Sequence, residues 1–214
     1  MGDDIVSAVA GLARAFEPYP RRAVLDRCPH CGPPVRVDEL GLFSLAIKLG
    51  NTVGDRNDVK ALLPLLLERL VVSEELNPEI VLAKLPQFEW RDWPSDEQRA
   101  IDDYLDAVWG ALLAEFPPRT GGFTDVSEFL RAIAAAGIVP DRFLDAWDVL
   151  VGSAPDRHLA LLVHGALFAR GGDAVTAWLQ RDVVRRRLFH AYERDHSAAW
   201  ADEFVYAYDL VCLM

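Results

Sequence analysis

Apolar residues recur every three or four positions along nearly the whole chain, and stretches that alternate apolar with polar are scarce. That periodicity predicts helices and leaves little for strands. A first helix is expected over residues 3–16, with Ile5, Val9, Leu12 and Phe16 on one stripe and Pro18 and Pro20 as its stop. Residues 19–35 hold Pro20, Pro29, Gly32, Pro33 and Pro34, which withhold backbone donors and restrict dihedrals, so this stretch is expected to be loop. A second helix is expected over 38–49 and a third over 58–73, N-capped by Asp58 and kinked at Pro64. Leu62, Leu63, Leu65, Leu66, Leu67, Leu70 and Val71 surround much of that third helix, which implies burial on most sides. Asn77 and Pro78 read as the N-cap and first position of a short helix ending near residues 85–86.

The segment QFEWRDWP reads as an aromatic loop, after which Ser95 and Gln98 have the spacing of a capping box. The helix they open places Ile101, Leu105, Val108, Trp109, Leu112 and Phe116 on one face and Asp96, Glu97, Asp102, Asp103 and Asp106 on the other, which reads as solvated and acidic. Asp125 with Glu128 makes a second capping box, with Gly137 as the stop of its helix. Pro140 begins a helix with Phe143, Leu144, Trp147 and Leu150 inward, and Pro155 opens another that ends at Gly171 and Gly172. Asp173 is expected to cap a long helix to residue 194, and Ser197 the last one, with Trp200, Phe204, Tyr208 and Val211 on its stripe. The pattern is all-α, with about nine helices in a single domain over residues 1–214. Short connections favour antiparallel neighbours, and both an irregular multi-helix bundle and a short HEAT-like array of helix pairs satisfy them. No repeat period near 34 or 40 residues selects the array.

Composition narrows the class. With 214 residues and 51% hydrophobic side chains the chain can build one continuous core without disulfides or metal. Its 22 basic residues face 33 acidic ones, a net charge of −11, which opposes nucleic-acid backbones and favours a basic partner. No apolar stretch approaches the roughly 18 residues a membrane span needs, and the start MGDDIVSAVAGLARAF lacks the basic region and apolar run of a secretory signal. Three cysteines, an odd number, argue against a disulfide framework and place the chain in a reducing cytoplasm.

Chemistry is concentrated in Cys28-Pro29-His30-Cys31. Two thiols separated by two residues can grip a zinc ion or close a redox disulfide, but structural zinc takes four ligands and no second pair exists. His158, His164, His190, His196 and Cys212 are candidate completions without ligand spacing. Gly32-Pro33-Pro34 deny the helix that lowers a thiol pKa in thioredoxin-fold oxidases carrying the same four letters. A plain loop with free thiols, a zinc site and a redox site therefore all stay open. Arg181, Arg185, Arg186 and Arg187 form the one basic cluster, and His190 with Glu193 reads as a helix end in the absence of partners from another helix. Trp90 and Trp93 either plug a gap between helices or anchor a partner. No P-loop, dinucleotide fingerprint, nucleophile elbow or zinc-protease motif is present. The expected function is a non-enzymatic protein-interaction module, an adaptor or immunity-type protein, that meets a basic partner through Trp90, Trp93, Asp102 and Asp106. The alternative is a small metal- or thiol-dependent protein built on Cys28 and Cys31, with zinc as its cofactor.

CPHC, TVGDRNDVKALLPLLLERL and EWRDWPSDEQRAIDDYLDAVWGALL together resemble a family of uncharacterised bacterial all-helical proteins carrying a CPxC pair, an FLPRLLEL-like helix and a WxxWP segment. The resemblance spans residues 19–116, and Val53 stands where that family carries Trp. It implies a helical fold and a bacterial origin, maps the family's thiol pair onto Cys28 and Cys31, and transfers no activity.

Overall fold

A computed structural model describes residues 2–27, 32–166 and 173–214. Helices dominate it: α1 (Asp3–Ala15), α2 (Leu42–Lys48), α3 (Arg56–Val72), α4 (Pro78–Leu82), α5 (Lys84–Gln87), α6 (Ser95–Ala114), α7 (Val126–Ala135), α8 (Asp141–Asp148), α9 (Ser153–Ala166), α10 (Asp173–Leu179), α11 (Asp182–Asp195) and α12 (Ala201–Leu213). The only strands among the described residues are β1 (Val24–Leu25) and β2 (Val35–Arg36), an antiparallel pair that registers Val24 with Arg36 and Leu25 with Val35.

The 20-residue helix α6 is the axis of the molecule. Ala100, Ile101, Tyr104, Leu105, Val108, Trp109, Leu112 and Leu113 are all buried, so its apolar stripe meets neighbours along its whole length. α1 lies along one flank, while α7, α8 and α9 pack around the rest. α4 packs on α7, and α9, α11 and α12 form a three-helix corner. Pairings between helices so far apart in sequence are those of a bundle wound around one helix; a helical array would join only successive repeats. A hydrophobic cluster from Ile5 to Val211 fills the interior.

α3 is buried on most sides, as its leucines predict, with Val59, Leu62, Leu63, Leu66, Leu67 and Leu70 all at 3% exposure or less. It remains helical through Pro64, which cannot donate to the Lys60 carbonyl. The next carbonyl, Ala61, is reached from outside by Arg21 Nε at 3.2 Å.

Several expected boundaries move, each for a local reason. The loop over residues 19–35 contains β1 and β2 because Leu25 and Val35 are apolar enough to close on the core. The N-cap of α3 is Asp55 rather than Asp58: Asp55 accepts from the backbone of Asn57 and Asp58, and Asp58 returns the bond to the Asp55 N–H, a full capping box. Residues 38–49 divide into a 3-10 turn at Val37–Glu39 and α2, with Gly41 extended before the α-helix. Ser95 makes no cap bond; Pro94 holds that position, and Gln98 donates to the carbonyls of Arg91 and Trp93, tying the helix to the preceding turn. The expected helix over 173–194 breaks after Leu179, where Trp178 and Arg181 both donate to Asp148. α12 begins at Ala201, three residues later than a Ser197 cap implies.

Candidate interaction surface

One side of α6 is not covered. Asp96, Arg99, Asp103 and Asp106 stand exposed along it. Between this edge and α1 lies an open cleft of about 700 Å³. Its floor is made of small side chains, Ala8, Gly11 and Ala15 from α1 with Ala100 and Ala107 from α6, so the two helix backbones lie close beneath it. Three carboxylates, Asp4, Asp96 and Asp103, and two guanidiniums, Arg14 and Arg99, form its rim. Spacing alone recorded the apolar stripe of α1; Ala8, Gly11 and Ala15 also recur at three- and four-residue steps, a signal that acquires meaning only once α1 is set against α6.

The charged side chains on this side are crowded. Asp102 pairs with Arg91 at 3.0 Å and with Arg142 at 2.9 Å, and Arg142 reaches on to Asp106 at 3.3 Å. Burial, with the charges of Asp102 and Asp103 added, holds the Asp106 carboxyl above its usual range despite Arg142. Asp102 is therefore half-buried and neutralised from within, whereas Asp103 and Asp106 face solvent.

Trp90 and Trp93 do not offer an exposed platform; at 2% and 4% exposure they are core residues. Trp90 Nε1 donates to the Ala136 carbonyl at 3.3 Å and Trp93 Nε1 to the Phe88 carbonyl at 2.9 Å, and Phe16 stands edge-on to Trp93. The segment that carries them plugs the space beside α6 because each indole buries a large apolar area and satisfies its one donor there. Arg91 lies over the outer face of Trp90, 3.7 Å from its ring centre.

Glu97 also leaves the acidic face. It is buried, pairs with the buried Lys60 at 2.6 Å, and accepts from Tyr19 Oη at 2.6 Å. Lys60 Nζ sits 4.7 Å above the Tyr19 ring and 4.5 Å above Trp93, so aromatic faces complete its surroundings. The helical period already sets Glu97 four residues before Ile101 on the buried stripe, but its partner on α3 has no signature in the sequence.

The other buried polar groups serve structure. Lys84 Nζ donates to the carbonyl of Leu49 at the end of α2, 2.6 Å away, and burial pushes its pKa down to about 8. His158 is fully buried with Nε2 2.9 Å from the Glu115 carbonyl at the end of α6; a carbonyl only accepts, so Nε2 carries the proton, and burial keeps the ring below its usual pKa. Tyr104 donates to Leu67, Trp109 to Phe143 and Trp147 to Pro155, all backbone carbonyls. Buried Asp156 accepts from Arg187 at 2.6 Å and Arg194 at 2.8 Å, which turns one of the clustered arginines, Arg187, inward. Arg181 is held by Asp148, and His190 pairs with Glu193 at 3.1 Å on an exposed helix face. None of these arrangements sets a nucleophile beside a base.

Cys28 and Cys31 lie outside the described residues; β1 precedes them in the chain and β2 follows. Among the described residues no three His, Cys, Asp or Glu side chains gather closely enough to hold a metal ion. Among those residues, too, no helix is long and apolar enough to cross a membrane. In comparisons with family models, curated proteins and solved structures, nothing matches this chain.

Proposed function

We propose that the chain is a non-enzymatic helical interaction module of the cytoplasm that docks a basic segment of another protein in the cleft between α1 and α6. The observation that carries this reading is the open cleft between α1 and α6: a floor of small side chains that admits a helix closely, rimmed by the carboxylates of Asp4, Asp96 and Asp103 beside Arg14 and Arg99, with Asp106 exposed farther along α6. Burial first, and then the charges of Asp102 and Asp103, hold the Asp106 carboxyl above its usual pKa, and a cationic side chain placed beside Asp103 and Asp106 offsets the repulsive part. The buried donors, spent on backbone carbonyls and ion pairs, support a scaffold rather than a catalyst.

The test is affinity capture from bacterial lysate by the wild-type chain and by an Asp96→Lys/Asp103→Lys variant. The wild type should retain a specific basic protein at modest salt and lose it as salt rises, and the variant should retain about tenfold less. Equal recovery by both chains, or none by either, overturns the proposal.

A second reading, zinc or thiol chemistry at Cys28 and Cys31, draws support from the β1 and β2 pair, which brings the chain together on either side of that segment. Two thiols are half of a usual structural zinc shell, and the described residues gather no group that completes it. Zinc measured by elemental mass spectrometry at about one per chain, and lost on changing Cys28 to Ser, would carry this reading. Zinc-free protein with both thiols titrating would end its metal form.

A further inference from the structure

The end of α6 meets α9 at a buried imidazole. His158 has no solvent exposure, its Nε2–H donates to the carbonyl of Glu115 at 2.9 Å, and its ring stands edge-on to Phe116 with centres 4.8 Å apart. Nδ1 is buried too and has no hydrogen-bond partner among the described residues. α9 is also the helix on which α11 and α12 pack, so His158 lies in the joint that seats the C-terminal helices on α6.

The charges around this joint are already matched. Arg157, the preceding residue, lies over the Phe116 ring at 4.0 Å and the Trp200 ring at 4.8 Å, and it donates twice to Glu203 of α12, at 3.2 and 3.1 Å. From α11, Arg187 and Arg194 reach α9 but are met there by Asp156. At the start of α7, Asp125 accepts from the Glu128 N–H as the helix cap. Burial opposes a proton on His158 most strongly and Arg157 adds to it, while the carbonyls of Glu115 and Leu112 and the charge of Asp125 favour one without prevailing. A proton on Nδ1 therefore sets a second cation beside Arg157 and creates a buried N–H with no acceptor in reach. Moving α9 off the end of α6 removes both costs by admitting water to the ring.

We propose that His158 is an acid-sensitive latch: the neutral ring fastens α9 to the end of α6, and a proton on Nδ1 unseats α9 and loosens the core that the two halves of the chain share. In the unfolded chain the ring titrates near pH 6.5. As pH falls through that value the unfolded chain takes up a proton that the folded chain refuses, so the latch is at full strength above it and weakens below it. Urea unfolding of the full chain at pH 7.5, 6.5 and 5.5, wild type against His158→Gln, tests this, because Gln can donate to the Glu115 carbonyl and takes up no proton. From pH 7.5 to 5.5 the unfolding constant of the wild type should rise about tenfold more than that of the variant. Ring-nitrogen NMR of the wild type gives a readout that needs no variant: in folded protein at pH 5.5 one histidine should keep a neutral ring with its proton on Nε2. Equal pH dependence of the two proteins, or a folded chain at pH 5.5 in which every histidine ring is protonated, would overturn the proposal.

Discussion

Lys84 shows how a buried charge is tolerated here and what it costs. Among the described residues its ammonium has one backbone acceptor, Leu49, and no ion pair, and burial accounts for a pKa of about 8. An unfolded lysine titrates near 10.4, so between about pH 8 and 10.4 the unfolded chain holds a proton that the folded chain has released. Stability from this residue therefore rises with pH through that window and is lowest below it. Buried Lys60, by contrast, has an ion-pair partner in Glu97, 2.6 Å away. Lys84→Met keeps the apolar stem and removes the charge; after the loss of the Leu49 hydrogen bond it should still stabilise the fold by about 1–2 kcal/mol at pH 7. Urea unfolding of both proteins at pH 7, 8.5 and 10 checks this: the advantage should shrink as pH rises, and an advantage that is constant or absent would refute the desolvation account.

At the level of elements, the junctions show which local signals suffice. Asn77 and Asp125 cap their helices where the sequence places them, because the side chain and the N–H it accepts from lie within the same turn. Asp125 completes only half of its expected box, since Glu128 turns to the backbone and hydroxyl of Thr124. Asp55 and Asp58 are both acceptable caps by residue type, and the tie is broken by Arg22, which grips Asp58 with two nitrogens and is held by Asp26 as well. Against the cost of burial, that guanidinium and the Asp55 N–H keep the Asp58 carboxyl below its usual pKa. Asp55→Ala removes the cap accepting from Asn57 and Asp58 and should cost about 1–2 kcal/mol in urea or thermal unfolding, whereas Asp55→Ser should cost under half as much. Equal losses for the two variants would show that the capping bond is not what stabilises this end. The strand pair and the break between α10 and α11 escaped the pattern for the same physical reason as the Arg22 grip: each depends on groups ten or more residues away, Val35 for Leu25 and Asp148 for Trp178. The apolar face of α6 was legible because one helix carries it whole. The cleft beside it was not, because its floor is shared with a helix about 90 residues earlier.

For the whole molecule, the decisive contact is between its earliest and its central helix, since α1 lies along α6 while α6 in turn supports α7, α8 and α9, and α9 holds α11 and α12. The two ends of the chain therefore rest on one core, and the hydrophobic cluster that contains Ile5, Leu12 and Phe16 also contains Leu188, Phe204 and Val211. Burying one such side chain contributes about 1.5–3 kcal/mol, and a domain's whole stability is about 5–15 kcal/mol, so neither end has the means to unfold alone without undoing the other. The tryptophans are spread to report this: Trp90, Trp93 and Trp109 lie around α6, while Trp147, Trp178 and Trp200 lie toward the C-terminal helices. Leu12→Ala, at a position with no solvent exposure, should destabilise the fold by about 2–5 kcal/mol. Far-UV ellipticity and tryptophan emission should lose that amount together, with coincident urea midpoints, although the substitution is remote in sequence from every tryptophan. Separate midpoints for the two probes, or emission from the C-terminal tryptophans that ignores Leu12, would mean that the C-terminal helices fold as a unit of their own and that α6 does not couple the two halves.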